Sequence, residues 1–299
     1  MVDNKKVKIL LIIIILVFLV FLSRNLYINS QETKALSAFN KGDYDKAINH
    51  YQSILKLDDD LQYKINIAYN YYLLEDYDNA LDYLERNIDE INNPKDLYLL
   101  SLVNEKKGKT DKTLEILNEI IQLDKTYVKA WEKIGQIESK QENYDLAANA
   151  YREAIELKPK AGENYLALAM IFYKQKAFDE EIQTYLEMLD KEAVVYEKTK
   201  DESLFVAEYN LGATLYRIDR IEEAVSYFES AIKKDPDHAD AMYYLASIHA
   251  LLGNENKMYD YLEKAIKLDD NYLNIVVKDN DFRDFIETSD FEEFIKNLE

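Results

Sequence analysis

The chain has 299 residues, 48% hydrophobic and 31% charged, which is enough apolar matter for a core and too much for a disordered chain. Six glycines and three prolines are too few for a turn-rich β architecture and favour helices. A formal net charge of −20 repels nucleic-acid phosphates and anionic lipid headgroups and suits a partner with basic segments, while the absence of cysteine excludes disulfides, thiolate metal sites and thiol catalysis.

The first element is an unbroken apolar run from Ile9 to Leu22, preceded by Lys5, Lys6 and Lys8. Fourteen helical residues span about 21 Å, against about 30 Å of bilayer hydrocarbon. Extending the helix over 7–28 closes the gap if Lys8 and Arg24 reach the interfaces with their charged ends. The length also fits a signal-peptide core, but Leu22-Ser23-Arg24-Asn25-Leu26 has no small-residue cleavage site, which favours an uncleaved anchor. A buried core helix is the third reading, and an all-round apolar run disfavours it. Three lysines before the span and Arg24 alone close behind it put residues 1–6 in the cytoplasm and the rest of the chain outside; the reverse orientation is the alternative.

Next comes a periodic region. Ala47, Ala80, Ala147 and Ala224 each follow a short polar turn, with Thr113, Glu181 and Met258 in the same column. The steps are 33 or 34 residues, apart from one of 43 between Glu181 and Ala224, which places an insertion near 190–204. Twelve positions before each marker stands a small residue: Ala35, Ala68, Ser101, Gly135, Ala169, Gly212 or Ala246. Two antiparallel helices that pack closely need small residues at their crossing. Four positions after it stands a large one: Tyr51, Leu84, Leu117, Tyr151, Tyr185, Phe228 or Leu262. A period of this length predicts about seven helix-turn-helix units over 29–272. Residues 273–299 hold Phe282, Phe285, Phe291 and Phe294, expected to cap the last unit; a docking motif for a partner is the alternative.

Catalytic or metal-ligating patterns do not stand out. His50, His238 and His249 are scattered, and His249 falls on a face expected to be packed. No phosphate-binding, zinc-protease or nucleophile-elbow motif occurs. Asp58-Asp59-Asp60 and Asp279-Asn280-Asp281 lack the glycine and closing glutamate of a calcium loop and are expected to be solvated. The expectation is a protein that is not an enzyme and carries no cofactor.

The periodic columns resemble those of the tetratricopeptide repeat family. The fourth unit, 128–161, carries Trp131, Ile134, Gly135, Tyr144, Ala147, Tyr151, Ala154 and Pro159 at the family's signature spacings, and the likeness covers about 28–272. The third, fifth and seventh units depart from it at the marker. The first lacks a bulky residue early in its first helix and is expected to run straight on from the apolar helix. The resemblance implies an all-α fold, a right-handed superhelical solenoid that binds peptides or partner proteins on a concave face built from the first helices. The family's lining positions fall on Ile65, Tyr69, Tyr72, Tyr98, Leu102, Leu166, Met170, Tyr173, Tyr209, Tyr216 and Tyr243, with Lys95, Lys106, Lys129, Lys140, Lys174 and Arg217 among them. These tyrosines either bind ligand or pack. The family's lysine–asparagine carboxylate clamp is missing, since Glu32 and Leu36 stand at its positions in the first unit, so recognition of a free C-terminal carboxylate is not expected. The expected role is a membrane-tethered scaffold or adaptor for other proteins. The alternative is an accessory subunit of an envelope assembly or secretion complex, or a regulator of an enzyme partner. Neither nucleic acid nor a small-molecule substrate is expected.

Overall fold

A computed structural model of the protein describes residues 4–195 and 198–298. Residues 1–3 of the expected tail and 196–197 of the expected insertion lie outside that range. The described residues are almost entirely helical, and the chain divides into two compact units at Ala130 and Trp131.

The first unit opens with α1, Asn4–Asn40, a single helix of 37 residues. At 1.5 Å per residue it is about 55 Å long. Ile9 to Leu22 is exposed on every side, and this is the one helix among the described residues that is long and apolar enough to cross a membrane. Beyond it the helix becomes one-sided. The Arg24 guanidinium donates to the Leu57 carbonyl at 2.7 Å and lies 3.5 Å from the Asp58 carboxylate. Ile28 is 6% exposed and packs in a core with Ala35, Ala47, Ile48, Tyr51 and Ile54. The last turns of the expected span 7–28 are therefore part of the first repeat. Arg24 is held by a loop of its own unit, and the apolar helix runs into repeat one without a linker.

The second half of α1 pairs with α2 (Tyr44–Leu55), α3 (Leu61–Leu73) with α4 (Tyr77–Glu85), and α5 (Pro94–Lys106) with α6 (Thr110–Leu123). Helix α7 (Val128–Lys140) spans the unit boundary. In the second unit follow α8 (Tyr144–Leu157), the pair α9 (Gly162–Gln175) and α10 (Phe178–Asp190), the pair α11 (Lys200–Arg217) and α12 (Ile221–Lys234), and the pair α13 (Ala239–Leu251) and α14 (Glu255–Leu268). All seven marker residues, all seven small residues twelve before them and all seven large residues four after them are buried. Gly135 shows why the small column exists: a Cβ there would lie 2.8 Å from the Tyr151 ring. From α9 to α14 the first helix of each pair is packed on more sides than the second. Nine residues of α13 are buried against four of α14, so the second helices present their polar faces to water.

Each turn between paired helices is closed in one way. The residue five before the marker has a left-handed backbone: Gly42, Glu75, Gly108, Glu142, Lys176, Asp219 and Gly253, with φ from +58° to +77°. The next residue's amide donates back to a carbonyl five residues earlier, at 2.8 to 2.9 Å in all seven units, for example Asp43 to Ala38 and Asn254 to His249. This Schellman closure satisfies carbonyls that the helix end leaves unpaired.

The insertion folds back on the turn before α9. The Val194 amide donates to the Lys160 carbonyl, and the Gly162 amide donates to the Val194 carbonyl. Thr199 and Glu202 then form a capping box that starts α11 early, making it 18 residues long. The chain ends in α15 (Asn271–Val276), a 3-10 turn at Asn280–Phe282, α16 (Arg283–Ile286) and α17 (Ser289–Leu298). Phe282 and Phe291 are buried in a core with Met242, Ala246, Met258 and Leu262, and Phe285 and Phe294 are partly buried against it. The segment covers the face that the last pair leaves open.

Candidate partner-binding surface

In the first unit, α3 and α5 present Ile65, Tyr69, Tyr98 and Leu102 to an open cavity of about 380 Å³. Lys95 and Lys129 give it positive charge, and Gln62, Asn66 and Asp96 add polar groups. Asp96 is buried and held by the side chain and amide contacts of Asn93, the residue that caps α5. Tyr127, absent from the family lining positions, closes one wall with its ring 5.6 Å from that of Tyr98. Tyr69 is 40% exposed and stacks with Tyr72 at 6.5 Å; Tyr72 in turn meets Tyr77 at 5.9 Å, and Phe39 lies 5.9 Å from Tyr69. Burial raises the Tyr72 phenol, opposed by the charge of exposed Lys106. The result is a four-ring aromatic strip beside a half-apolar cavity.

The second unit holds two further groups. In the first, Met170 and Tyr173 on α9 are 54% and 41% exposed, and Lys174 beside them is exposed. Arg217 of α11 is not an uncommitted cation: its guanidinium lies 4.6 Å from the Tyr173 ring centre and 4.0 Å from a Glu181 carboxylate oxygen. Glu181 is the marker of the fifth repeat, where the other units have Ala, Thr or Met, and it is buried. Thr214 donates to its other oxygen at 2.7 Å, yet burial still holds the carboxyl above its usual range.

In the second group, Tyr209 packs on Phe228, Tyr244 and His238, with Tyr209–His238 ring centres 4.9 Å apart. Tyr216 donates to the Asp281 carboxylate, and Tyr243 donates to Asp279 at 2.7 Å. Tyr243 is 9% exposed and stacks on Tyr272 at 4.6 Å, so this expected groove residue is covered by the C-terminal segment. The expectation of a solvated Asp279-Asn280-Asp281 loop is overturned for both aspartates, which are half-buried and hydrogen-bonded to tyrosines of α11 and α13. Asp60 likewise serves the fold, capping α3 through the Gln62 amide. Lys140 is exposed at the end of α7 and lines neither cavity.

The histidines take structural positions. His238 caps α13, His50 meets Gln31 at 2.6 Å, and His249 is buried and stacked on Tyr261. Burial lowers the His249 imidazole, favouring its neutral form. Among the described residues no group of three or more His, Asp or Glu side chains is placed to hold one metal ion.

The tetratricopeptide repeat family model matches residues 33–93, 133–193 and 209–270. A tetratricopeptide repeat-containing protein of Methanocaldococcus jannaschii is 26% identical over 249 residues, which cover 79% of this chain; the chain spans only 43% of that protein's length. Among solved structures, the C-terminal part of a tetratricopeptide repeat-containing protein from Cytophaga hutchinsonii superposes with a TM-score of 0.66 at 17% identity, covering 79% of this chain and 94% of that one. A tetratricopeptide repeat protein from Parabacteroides merdae does so with a TM-score of 0.52 at 12% identity, covering 91% and 98%. At such identities the likeness of the structures concerns the fold alone. The matched repeats, the buried columns and the seven identical turn closures lead to one assignment: the chain belongs to the tetratricopeptide repeat family.

Proposed function

We propose that this protein is a membrane-anchored scaffold that holds segments of partner proteins on the first helices of its repeats, and that it is not an enzyme. Tetratricopeptide folds serve protein–protein interaction, and here the observation that supports a binding role is the aromatic surface of the first unit. Tyr69, Tyr72 and Tyr98 are partly accessible around a cavity with Lys95, Lys129 and nearby Lys106. Exposed tyrosine rings with a hydrogen-bonding end beside cations are the composition of binding hot spots. Met170, Tyr173 and Lys174 offer a second, smaller accessible patch. Residues 8–23 serve as the tether, with Lys5 and Lys8 on the cytoplasmic side and the repeats outside. The engagement of Arg24 by repeat one leaves the positive charge next to the span mainly on the N-terminal side.

The test is crosslinking of the full-length protein in membranes, followed by capture with variants. Tyr98→Ala and Tyr69→Ala should each weaken capture of the same partner, the stronger by about 2 kcal/mol in affinity, equivalent to roughly thirtyfold. Glu119→Ala, an exposed position on the second helix α6, should not. Full retention of the partner by both tyrosine variants, with melting temperatures unchanged, would move the binding surface elsewhere.

A further inference from the structure

The second unit carries a cavity whose chemistry is the reverse of the one in the first. It is an open depression of about 530 Å³ between α11, α13 and the C-terminal segment. Its walls are tyrosine rings: Tyr209, Tyr216 and Tyr244 form edge-to-face contacts at 5.3 and 6.1 Å, and Tyr243 and Tyr272 stack opposite the aspartates they bond. Three carboxylates stand among the rings, Asp240, Asp279 and Asp281. No lysine or arginine lines it, and among the described residues none forms an ion pair with any of the three. Arg217, whose charge acts on Tyr244 in the wall, is engaged with Glu181 and Tyr173. Arg283 is directed to the Asn280 side chain at 3.0 Å.

We propose that this cavity binds the guanidinium group of an arginine side chain presented by a segment of a partner protein. The inference rests on the reading that the first-helix face holds partner segments, and it names what one part of that face selects. Two features point to the ligand. The ring faces of tyrosines are negative and attract a cation laid against them. Carboxylates at the rim accept the fork of N–H groups that a guanidinium presents. An inorganic cation does not fit, because the three carboxylates do not converge on one point within ligating distance. An ammonium would gain the charge but not the paired hydrogen bonds or the flat stacking, so arginine should be preferred to lysine. The field inside the cavity agrees. Burial holds the Asp281 carboxyl above its usual range with no opposing charge, and the Tyr209 phenol is raised by burial and by Asp240.

The tyrosine–aspartate hydrogen bonds also explain how the cavity keeps its shape. Asp240 accepts from Tyr272 and Asp281 from Tyr216, each through one oxygen, while Asp279 accepts from Tyr243 through one oxygen and from the Asp281 amide through the other. The C-terminal segment supplies two of the three acids. It is therefore a working part of the cavity as well as a cover for the core.

The experiment uses full-length protein in detergent and a dye-labelled nine-residue peptide with apolar neighbours around a central arginine, read by fluorescence anisotropy. The same peptide with citrulline, which keeps shape and loses charge, should bind at least about tenfold more weakly, and the lysine peptide should fall between. Asp240→Asn together with Asp281→Asn keeps an acceptor for each tyrosine and should leave the melting temperature near that of the wild type. That variant should bind arginine and citrulline peptides alike. Equal binding of the two peptides to wild-type protein, or arginine preference undiminished in the double variant, overturns the proposal, as does the absence of saturable binding by the arginine peptide. The scaffold reading is decided separately by Tyr69→Ala and Tyr98→Ala in partner capture. If those weaken capture while arginine preference is absent, the inference drawn from this cavity fails alone.

Discussion

The left-handed turn residues show how much a single position can carry without touching anything. Gly42 has φ of +77° and nothing within 4 Å of where a Cβ would stand. Gly42→Ala should therefore lower stability by about 1 kcal/mol through backbone conformation alone, measured by denaturant unfolding of the repeat domain. Gly135→Ala should cost more, about 1–3 kcal/mol, for a different reason: the added methyl meets the Tyr151 ring at 2.8 Å. Equal effects of the two would contradict this separation. The same column shows where sequence reading stops. Gly42, Gly108 and Gly253 announce their turns, because glycine is at ease at positive φ. Glu75, Glu142, Lys176 and Asp219 adopt the same conformation with no sign of it in their chemistry. They are held there by the pairing of helices on either side. Glu181 is similar: its neighbours in the column are small or apolar, so only the repeat period placed a carboxylate in the core, and only the structure shows Thr214 and Arg217 answering it.

At the scale of elements, the helical pairs were legible because packing geometry repeats every 33 or 34 residues and leaves small residues at each crossing. The continuation of the apolar helix into repeat one was legible too, from the missing bulky residue early in that unit. The contacts of the C-terminal segment were not. Tyr243 and Asp279 are 36 residues apart, and Tyr216 and Asp281 are 65 apart, so no local pattern links them. Composition did mark the phenylalanines. Phe282→Ala, at a fully buried ring, should destabilise the end of the second unit by about 3–5 kcal/mol. Phe285→Ala, at a partly buried ring, should cost less. Limited proteolysis should show the difference as faster cleavage within 271–298 for Phe282→Ala. Equal resistance of both variants would mean that the segment is held by its aspartates and not by its apolar face. The candidate groove residues differ in their surroundings for the same reason. Tyr69 and Tyr98 line a cavity built by repeat helices, while Tyr243, 9% exposed, lines one that a segment outside the repeat pattern helps to build.

For the whole molecule, the junction of α1 with repeat one sets how the protein would sit at a membrane. A span over 7–28 would immerse Arg24 and Ile28, but Arg24 binds the Leu57 carbonyl and Ile28 is inside the repeat core. The stretch of α1 that repeat one leaves free is 8–23, about 24 Å at helical rise, several ångström short of an average hydrocarbon core. The shortfall is small enough for local thinning and for exposed Lys5 and Lys8, in the first turns of the helix, to reach the interface. With no linker, repeat one should lie against the headgroups. Three forms of the protein test this. The full-length chain should stay with membranes through carbonate extraction. A chain starting at Arg24 should be soluble and keep the melting temperature of the full-length repeats, because it retains both the Arg24 contacts and Ile28. A chain starting at residue 30 should be soluble but less stable. The loss should be about 2–4 kcal/mol, mostly from the apolar side chain of Ile28, since the half-exposed Arg24–Asp58 pair contributes little. Equal stability of the two truncated chains would return Arg24 and Ile28 to the span. Isolation from cells of a mature protein beginning near residue 30 would replace the anchor by a cleaved signal peptide.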